Sequence, residues 1–110
     1  MAQINWDDFE KVEIRIGTIV KAEKFPEAKK PAYKLLIDLG QLGVKQSSAQ
    51  LTSLYGTDWL IGKQVLCVTN FAPKQIANFI SEVLTTGFNT DEGIVLAQPE
   101  RKVKNGLKLV

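Results

Sequence analysis

The chain has 110 residues, 45% hydrophobic and 24% charged, with a formal net charge of +2, an ordinary balance for a soluble globular protein. Its longest apolar runs are only a few residues, too short for membrane insertion, and its start (Asn5, Trp6, Asp7, Asp8) lacks the basic-then-apolar order of a signal peptide. There is no His and one Cys. The commonest general base and metal ligand are therefore missing, no zinc site can be assembled, and no internal disulfide can form.

The expectation is one domain over residues 1–110 with no cofactor and no bound metal. A lone Cys fits a cytoplasmic location. Area scaling gives a folded surface of ~6,000 Å² against ~18,000 Å² unfolded, so the core is modest and self-association would help it.

Trp6 to Val12, with Asp7 and Asp8 at its front, reads as a short helix with an acidic first turn. Trp6, Phe9 and Val12 share its apolar side, which could cap a β core or dock on a partner subunit. From Glu13 the period becomes two. Ile14, Ile16, Thr18, Val20 and Ala22 fall on one face; Arg15, Gly17, Ile19 and Lys21 fall on the other. Gly17 suggests a bulge or sharp curl, as small barrels require.

Phe25 to Pro31 is a charged loop bounded by prolines. Tyr33 to Leu39 alternates, with Tyr33, Leu35, Ile37 and Leu39 on one side, and Gly40 to Gly43 turns the chain into a third strand. That strand, Val44 to Gln50, has almost no large apolar side chains. It either lies idle at an edge or exposes a working face.

Leu51 to Leu60 is a turn or short helix plugging the barrel, and Gly62-Lys63 leads into a fourth strand, Val65 to Val68. Asn70-Phe71-Ala72-Pro73 interrupts regular pairing, because Pro73 fixes its own φ and pushes Ala72 to extended geometry. A further strand starts near Ile80. Asp91-Glu92-Gly93 is a hairpin turn before the strand Ile94 to Ala97, and Pro99 to Gly106 is a basic loop before Leu107 to Val110.

Short strands, frequent Gly and Pro turns and a helix between strands 3 and 4 indicate an all-β fold. The expectation is a five-stranded oligonucleotide/oligosaccharide-binding (OB) barrel with N- and C-terminal extensions.

Charge is unevenly spread. Acids crowd the start, while the middle carries Lys21, Lys24, Lys29, Lys30, Lys34 and Lys45 against Glu23, Glu27 and Asp38, so one face could be basic although the whole chain is nearly neutral. Catalytic residues are not expected. Cys67 lies in an apolar strand with no imidazole to activate it. Ser47 and Ser48 have no adjacent base except Lys45, and neither a phosphate-binding loop nor a dinucleotide fingerprint occurs.

Four motifs stand in register: Glu13 to Val20 (EIRIGTIV), Phe25 to Ala28 (FPEA), Lys45 to Gln50 (KQSSAQ) and Asn70 to Lys74 (NFAPK). Together they resemble the tRNA-binding OB-fold domains found at the ends of methionyl- and phenylalanyl-tRNA synthetases. KQSSAQ with Ser81 to Leu84 is most similar to the CsaA-type export-associated chaperones. The resemblance implies a non-enzymatic homodimer that binds unfolded precursor polypeptides for export, with tRNA as the alternative partner.

The binding positions it implies are Lys34, Lys45, Gln46, Ser47, Ser48, Asn70, Phe71, Pro73, Lys74, Gln75, Ser81 and Glu82. The chain departs from the tRNA-binding pattern where relatives carry a basic residue and a Gly. It has Gln75 and Asn78 there, with Asn78 expected to take over the left-handed geometry of that Gly. Phe25 stands where such relatives often carry His. Both changes favour a peptide ligand over RNA.

Overall fold

In the computed structural model, which describes residues 1–110, the chain forms nine strands. They are β1 (Ile14–Lys24), β2 (Tyr33–Asp38), β3 (Val44–Ala49), β4 (Gln64–Val68), β5 (Lys74–Ile76), β6 (Phe79–Ser81), β7 (Leu84–Thr85), β8 (Gly87–Thr90) and β9 (Gly93–Leu96). Helix α1 (Trp6–Glu10) precedes them, and α2 (Thr57–Leu60) lies between β3 and β4.

β1 organises the rest. Its first half, Ile14–Thr18, pairs antiparallel with β4, and its second half, Thr18–Lys24, pairs antiparallel with β2. One strand so shared by two neighbours must coil sharply, and the sheet runs β3-β2-β1-β4-β7. β3 then closes on the segment that leads into β7, where the Glu82 and Val83 amides both donate to the Gln46 carbonyl, at 2.8 and 3.3 Å. The result is the expected nearly closed OB barrel.

The apolar face expected of β1 is reversed only up to the bulge, beyond which Ala22 packs against the core as its face predicts. Gly17 and Ile19 face the interior, while Val20 is 46% exposed. A Cβ on Gly17 would lie 2.4 Å from Ile37 Cγ2 and 2.8 Å from Leu39 Cδ2, so Ile37 and Leu39 already fill the space at this crossing. Ile16 is buried but stands outside the twelve-residue core. The bulge does not fall at Gly17. The β1–β2 register slips between Ile19 and Lys21, leaving Val20 unpaired and resetting the phase of the strand.

The core itself joins Ile19, Tyr33, Leu35, Ile37, Leu39, Leu51, Leu60, Val65 and Cys67 with Val83 and Leu96 from the later hairpins. Leu51 and Leu60 plug one end, as expected of the 51–60 segment. Tyr55 locks that plug: its carbonyl accepts from Tyr33 Oη at 2.8 Å, and its own hydroxyl accepts from the Leu96 amide at 3.1 Å.

The N-terminus of α1 carries a capping box, in which Asn5 Oδ1 accepts from the Asp8 amide and Asp8 Oδ2 accepts from the Asn5 amide. The C-terminal segment extends the sheet beside β1. The Gly106 and Leu109 amides donate to the Ile16 and Ile14 carbonyls, each at 2.8 Å. Asn105 Oδ1 accepts from Thr18 Oγ1 and Gln64 Nε2. Lys108 pairs with Glu10 and Glu13, tying the tail to α1 and to the start of β1.

The surface totals 7377 Å², more than the ~6,000 Å² expected for this mass. Part of it is apolar surface on the two ends: Ile4, Trp6, Leu109 and Val110 all project into solvent.

Candidate ligand-binding groove

β3 is polar for a reason that neither sequence reading contained. Its outer edge is occupied, and its backbone and polar side chains together supply the bonds that close the barrel. The Gln46 amide donates to Glu82 Oε1 at 2.9 Å, and Gln46 Nε2 donates to the Ile80 carbonyl at 3.0 Å. The Ser48 amide donates to Ser81 Oγ at 3.0 Å. Ser47 is 0% exposed; its hydroxyl donates to the Val83 carbonyl at 2.9 Å and lies 2.8 Å from Thr85 Oγ1. Ser47 therefore faces inward and offers a ligand nothing. Alternation decides this: Ser47 and Ala49 point into the barrel and Gln46 and Ser48 away from it, while Lys45, on the Ser47 side but near the start of the strand, stays half-exposed.

Asn70 is also committed internally. Its Oδ1 accepts from the Glu13 amide at 3.0 Å, and its Nδ2 donates to the Lys11 carbonyl at 2.7 Å. The Thr69 amide donates to the Glu13 carbonyl at 2.8 Å. This stitching fixes the chain just before Phe71, which is 60% exposed. A large apolar ring held out from an anchored backbone suits ligand contact.

Phe71 separates two depressions. One, about 410 Å³, is lined by Ser48, Gln50, Phe71, Lys74, Ile76, Ser81 and Leu84 among others. The other, about 200 Å³, is lined by Leu42, Lys45, Thr69, Phe71, Pro73 and Glu82 among others. The two share Phe71, Glu82 and Val83 and form one groove along the β3 seam. Eight of the twelve sequence-derived positions thus gather here or beside it: Lys45, Ser48, Phe71, Pro73, Lys74, Gln75, Ser81 and Glu82. Gln75 reaches the groove only through a neighbouring cleft. Lys34 and Gln46 line a separate recess with Phe79 on the adjoining face, and the Lys34 ammonium sits 5.6 Å from the Phe25 ring centroid.

The connection expected after Pro73 is itself a hairpin, in which β5 pairs with β6 from Lys74↔Ser81 to Ile76↔Phe79. Its polar residues hid the period. Asn78 does not take the left-handed position. Ala77 does, at φ 51, because in this two-residue turn the first central residue carries the positive φ.

Gln50, Ile76 and Leu84 are groove residues that the twelve positions omit. Leu84 projects from a two-residue strand that has no legible period. The groove contains no imidazole or thiol. Cys67 is fully buried, and burial pushes its thiol up to about 12, against a partly opposing hydrogen bond with Thr85. It is a core side chain.

Residues 14–108 match the family described as "Putative tRNA binding domain". The methionine–tRNA ligase of Methanococcoides burtonii is 39% identical over 104 residues, which is 94% of this chain and 15% of that protein. That of Bacteroides fragilis is 34% identical over 106 residues, 96% of this chain and again 15% of the ligase. The chain therefore spans about a seventh of these relatives.

Among solved structures, the chaperone CsaA of Bacillus anthracis superposes with a TM-score of 0.92 at 47% identity, over 99% of this chain and 100% of that one. The CsaA chaperone of Picrophilus torridus also scores 0.92, at 48% identity over 98% and 100%. A MetRS-related protein from Pyrococcus horikoshii scores 0.87 at 25% identity, with both chains fully covered.

Proposed function

This chain belongs to the tRNA-binding domain family, and from that premise we propose that it is a non-enzymatic, CsaA-like chaperone. It holds unfolded precursor polypeptides for export in the cytoplasm and works as a homodimer. One observation carries the reading: the anchored, exposed ring of Phe71 between two connected depressions.

Apolar segments pack against Phe71, Ile76 and Leu84, while Ser48, Gln50 and Gln75 offer amides and hydroxyls to an extended backbone. Similarity to CsaA chaperones over almost the full length of both chains supports this choice. The exposed Ile4, Trp6, Leu109 and Val110 suit a two-fold contact between copies. Two grooves on one dimer gain avidity for a single unfolded chain without any new contact.

Fluorescence anisotropy with a labelled, permanently unfolded polypeptide tests this reading. Binding should be nearly independent of salt, and Phe71→Ala should weaken it about 10–100-fold, the worth of ~1.5–3 kcal/mol of buried aromatic surface. Tight tRNA binding at physiological salt with no polypeptide binding would overturn it. Light scattering on the eluting protein should give the mass of a dimer; a monomer at micromolar concentration would remove the two-fold contact.

A second reading, structure-specific tRNA binding in trans, is favoured by the family match and by the lysines that border the groove, Lys45 and Lys74. Contact with about four phosphates would tilt log affinity against log salt by roughly −3. A Lys45→Ala, Lys74→Ala variant should then damage RNA binding far more than polypeptide binding.

A further inference from the structure

We propose that Asn105-Gly106 is a self-modification site, at which the Asn105 side chain cyclises onto the Gly106 nitrogen and then opens to aspartate or isoaspartate. Docking of the C-terminal segment on β1 holds the site unreactive. The chemistry needs water and no second protein.

Asn105 is the one Asn of the chain that a Gly follows; Asn5, Asn70, Asn78 and Asn89 precede Trp, Phe, Phe and Thr. With no side chain on the following residue, its backbone nitrogen reaches the amide carbon with the least hindrance. The Gly106 nitrogen forms a bond to Asn105 Cγ, and the Cγ–Nδ2 bond breaks. The amide proton of Gly106 leaves with the side-chain nitrogen as ammonia. Water then opens the cyclic imide at either carbonyl. One opening gives aspartate, and the other gives isoaspartate, which lengthens the main chain by a carbon.

The fold restrains both reacting groups. The Gly106 amide donates to the Ile16 carbonyl at 2.8 Å. Asn105 Oδ1 accepts from Thr18 Oγ1 at 2.8 Å and from Gln64 Nε2 at 3.0 Å. The flanking backbone is pinned as well. Gln64 Nε2 donates to the Val103 carbonyl at 2.6 Å, the Val103 amide donates back to Gln64 Oε1 at 3.0 Å, and Arg15 Nη1 donates to the Gly106 carbonyl at 2.8 Å. Cyclisation must turn the Asn105 side chain from its two donors and free the Gly106 nitrogen from Ile16. It therefore waits on local release of the segment.

The same fold demands the labile pair. Gly106 stands at φ 92, and a Cβ there would lie 2.8 Å from the Leu39 carbonyl oxygen, so a side chain is excluded. Asn105 supplies the acceptor that bridges Thr18 and Gln64, which are partners in the β1–β4 register.

The two products differ in consequence. Aspartate keeps an oxygen for both donors and leaves the register intact. Isoaspartate shifts every later residue along the chain, so the Gly106 and Leu109 amides can no longer meet the Ile16 and Ile14 carbonyls together. A tail held off in this way withdraws Leu109 and Val110 from the two-fold contact proposed above. That last consequence rests on the dimer reading; the site itself does not.

The test incubates the full chain at pH 8, folded or in concentrated urea. Ion exchange follows the loss of positive charge, and mass spectrometry of the fragment carrying residue 105 places it. Conversion in the folded protein should be at least about tenfold slower than in urea. Lys108→Ala removes the ion pairs with Glu10 and Glu13 and leaves the dipeptide untouched. It should raise conversion about threefold, in step with hydrogen exchange at the Leu109 amide.

Equal rates in folded and unfolded protein, or Leu109 exchange that quickens while conversion does not, overturn the guard. No conversion at Asn105 in urea overturns the site. In the isolated isoaspartate form, NMR should show the Leu109 amide free of Ile14, whereas Asn105→Asp should keep it bound. A bound Leu109 amide in the isoaspartate form overturns the release. A free tail with the dimer mass retained overturns only the link to the two-fold contact.

Discussion

Gln46 and Glu82 exchange hydrogen bonds. The Gln46 amide donates to Glu82 Oε1 at 2.9 Å, and the Glu82 amide donates to the Gln46 carbonyl at 2.8 Å. An edge strand would leave these groups open to water or to another chain's edge. Here a side chain satisfies one and a backbone amide the other, so the barrel closes where too few backbone groups meet for a regular ladder. The candidate groove follows directly, because closing β3 against residues 81–83 brings Phe71 and Leu84 to line one depression with Ser48 and Gln50.

The seam makes Ser47 a stability residue. Ser47→Ala removes a buried hydroxyl that serves both the Val83 carbonyl and Thr85 Oγ1. It should cost about 1–2 kcal/mol, read in urea as a lower midpoint with an unchanged m-value. Polypeptide and RNA affinities at saturating fold should stay within twofold of the unmodified protein. A large affinity loss without destabilisation would return Ser47 to the ligand surface.

Gly17 should tolerate no side chain. The Cβ of Gly17→Ala would press on Ile37 Cγ2 and Leu39 Cδ2 in the core and come within 3.2 Å of the Asp38 carbonyl oxygen. Overpacking of this kind costs about 1–3 kcal/mol, so the melting temperature should fall by several degrees for a domain this size. An unchanged melting temperature would mean that β1 and β2 separate more easily than their tight crossing implies.

The C-terminal segment should loosen in acid. Hydrogen bonds from Arg15 and then Lys108 hold Glu13 below the ordinary carboxylate value. Its contribution is therefore complete above the unfolded carboxylate pKa and lost as pH falls through the lowered folded one. Lys108 is raised, chiefly by Glu13, so its contribution is present below the ordinary lysine value and lost as pH climbs through the raised one. Amide NMR of Leu109, whose N–H donates to Ile14, should report tail release at both extremes. Glu13→Gln should abolish the acid limb; an acid limb that persists in that variant would place the titrating group elsewhere.

Cys67 should be silent to thiol reagents in the native state. Its thiol is buried and protonated at neutral pH, with a pKa of about 12, and only the thiolate reacts. A colorimetric thiol assay at pH 8 should find none in the folded protein and one after denaturation. Fast modification of the folded protein would show that the β4 region opens locally.

How much of this was legible beforehand depends on the kind of signal. The alternation of Tyr33, Leu35, Ile37 and Leu39 names core residues correctly, because a strand with one face in the core must repeat every second residue. Phe71 and Pro73 mark an exposed connection for equally local reasons. Alternation in β1 misleads: a crowded crossing puts a glycine inward and a bulge then shifts the phase.

Sequence by itself determined the barrel, its plug, the closed chemistry of Cys67 and the neighbourhood of the groove, since these follow from local periodicity, turn residues and composition. Only the tertiary structure decided that Ser47 faces inward and that Asn70 anchors the connection. Each of these depends on contacts between segments some 30 to 60 residues apart, and no local pattern encodes which edges of a closing sheet will meet.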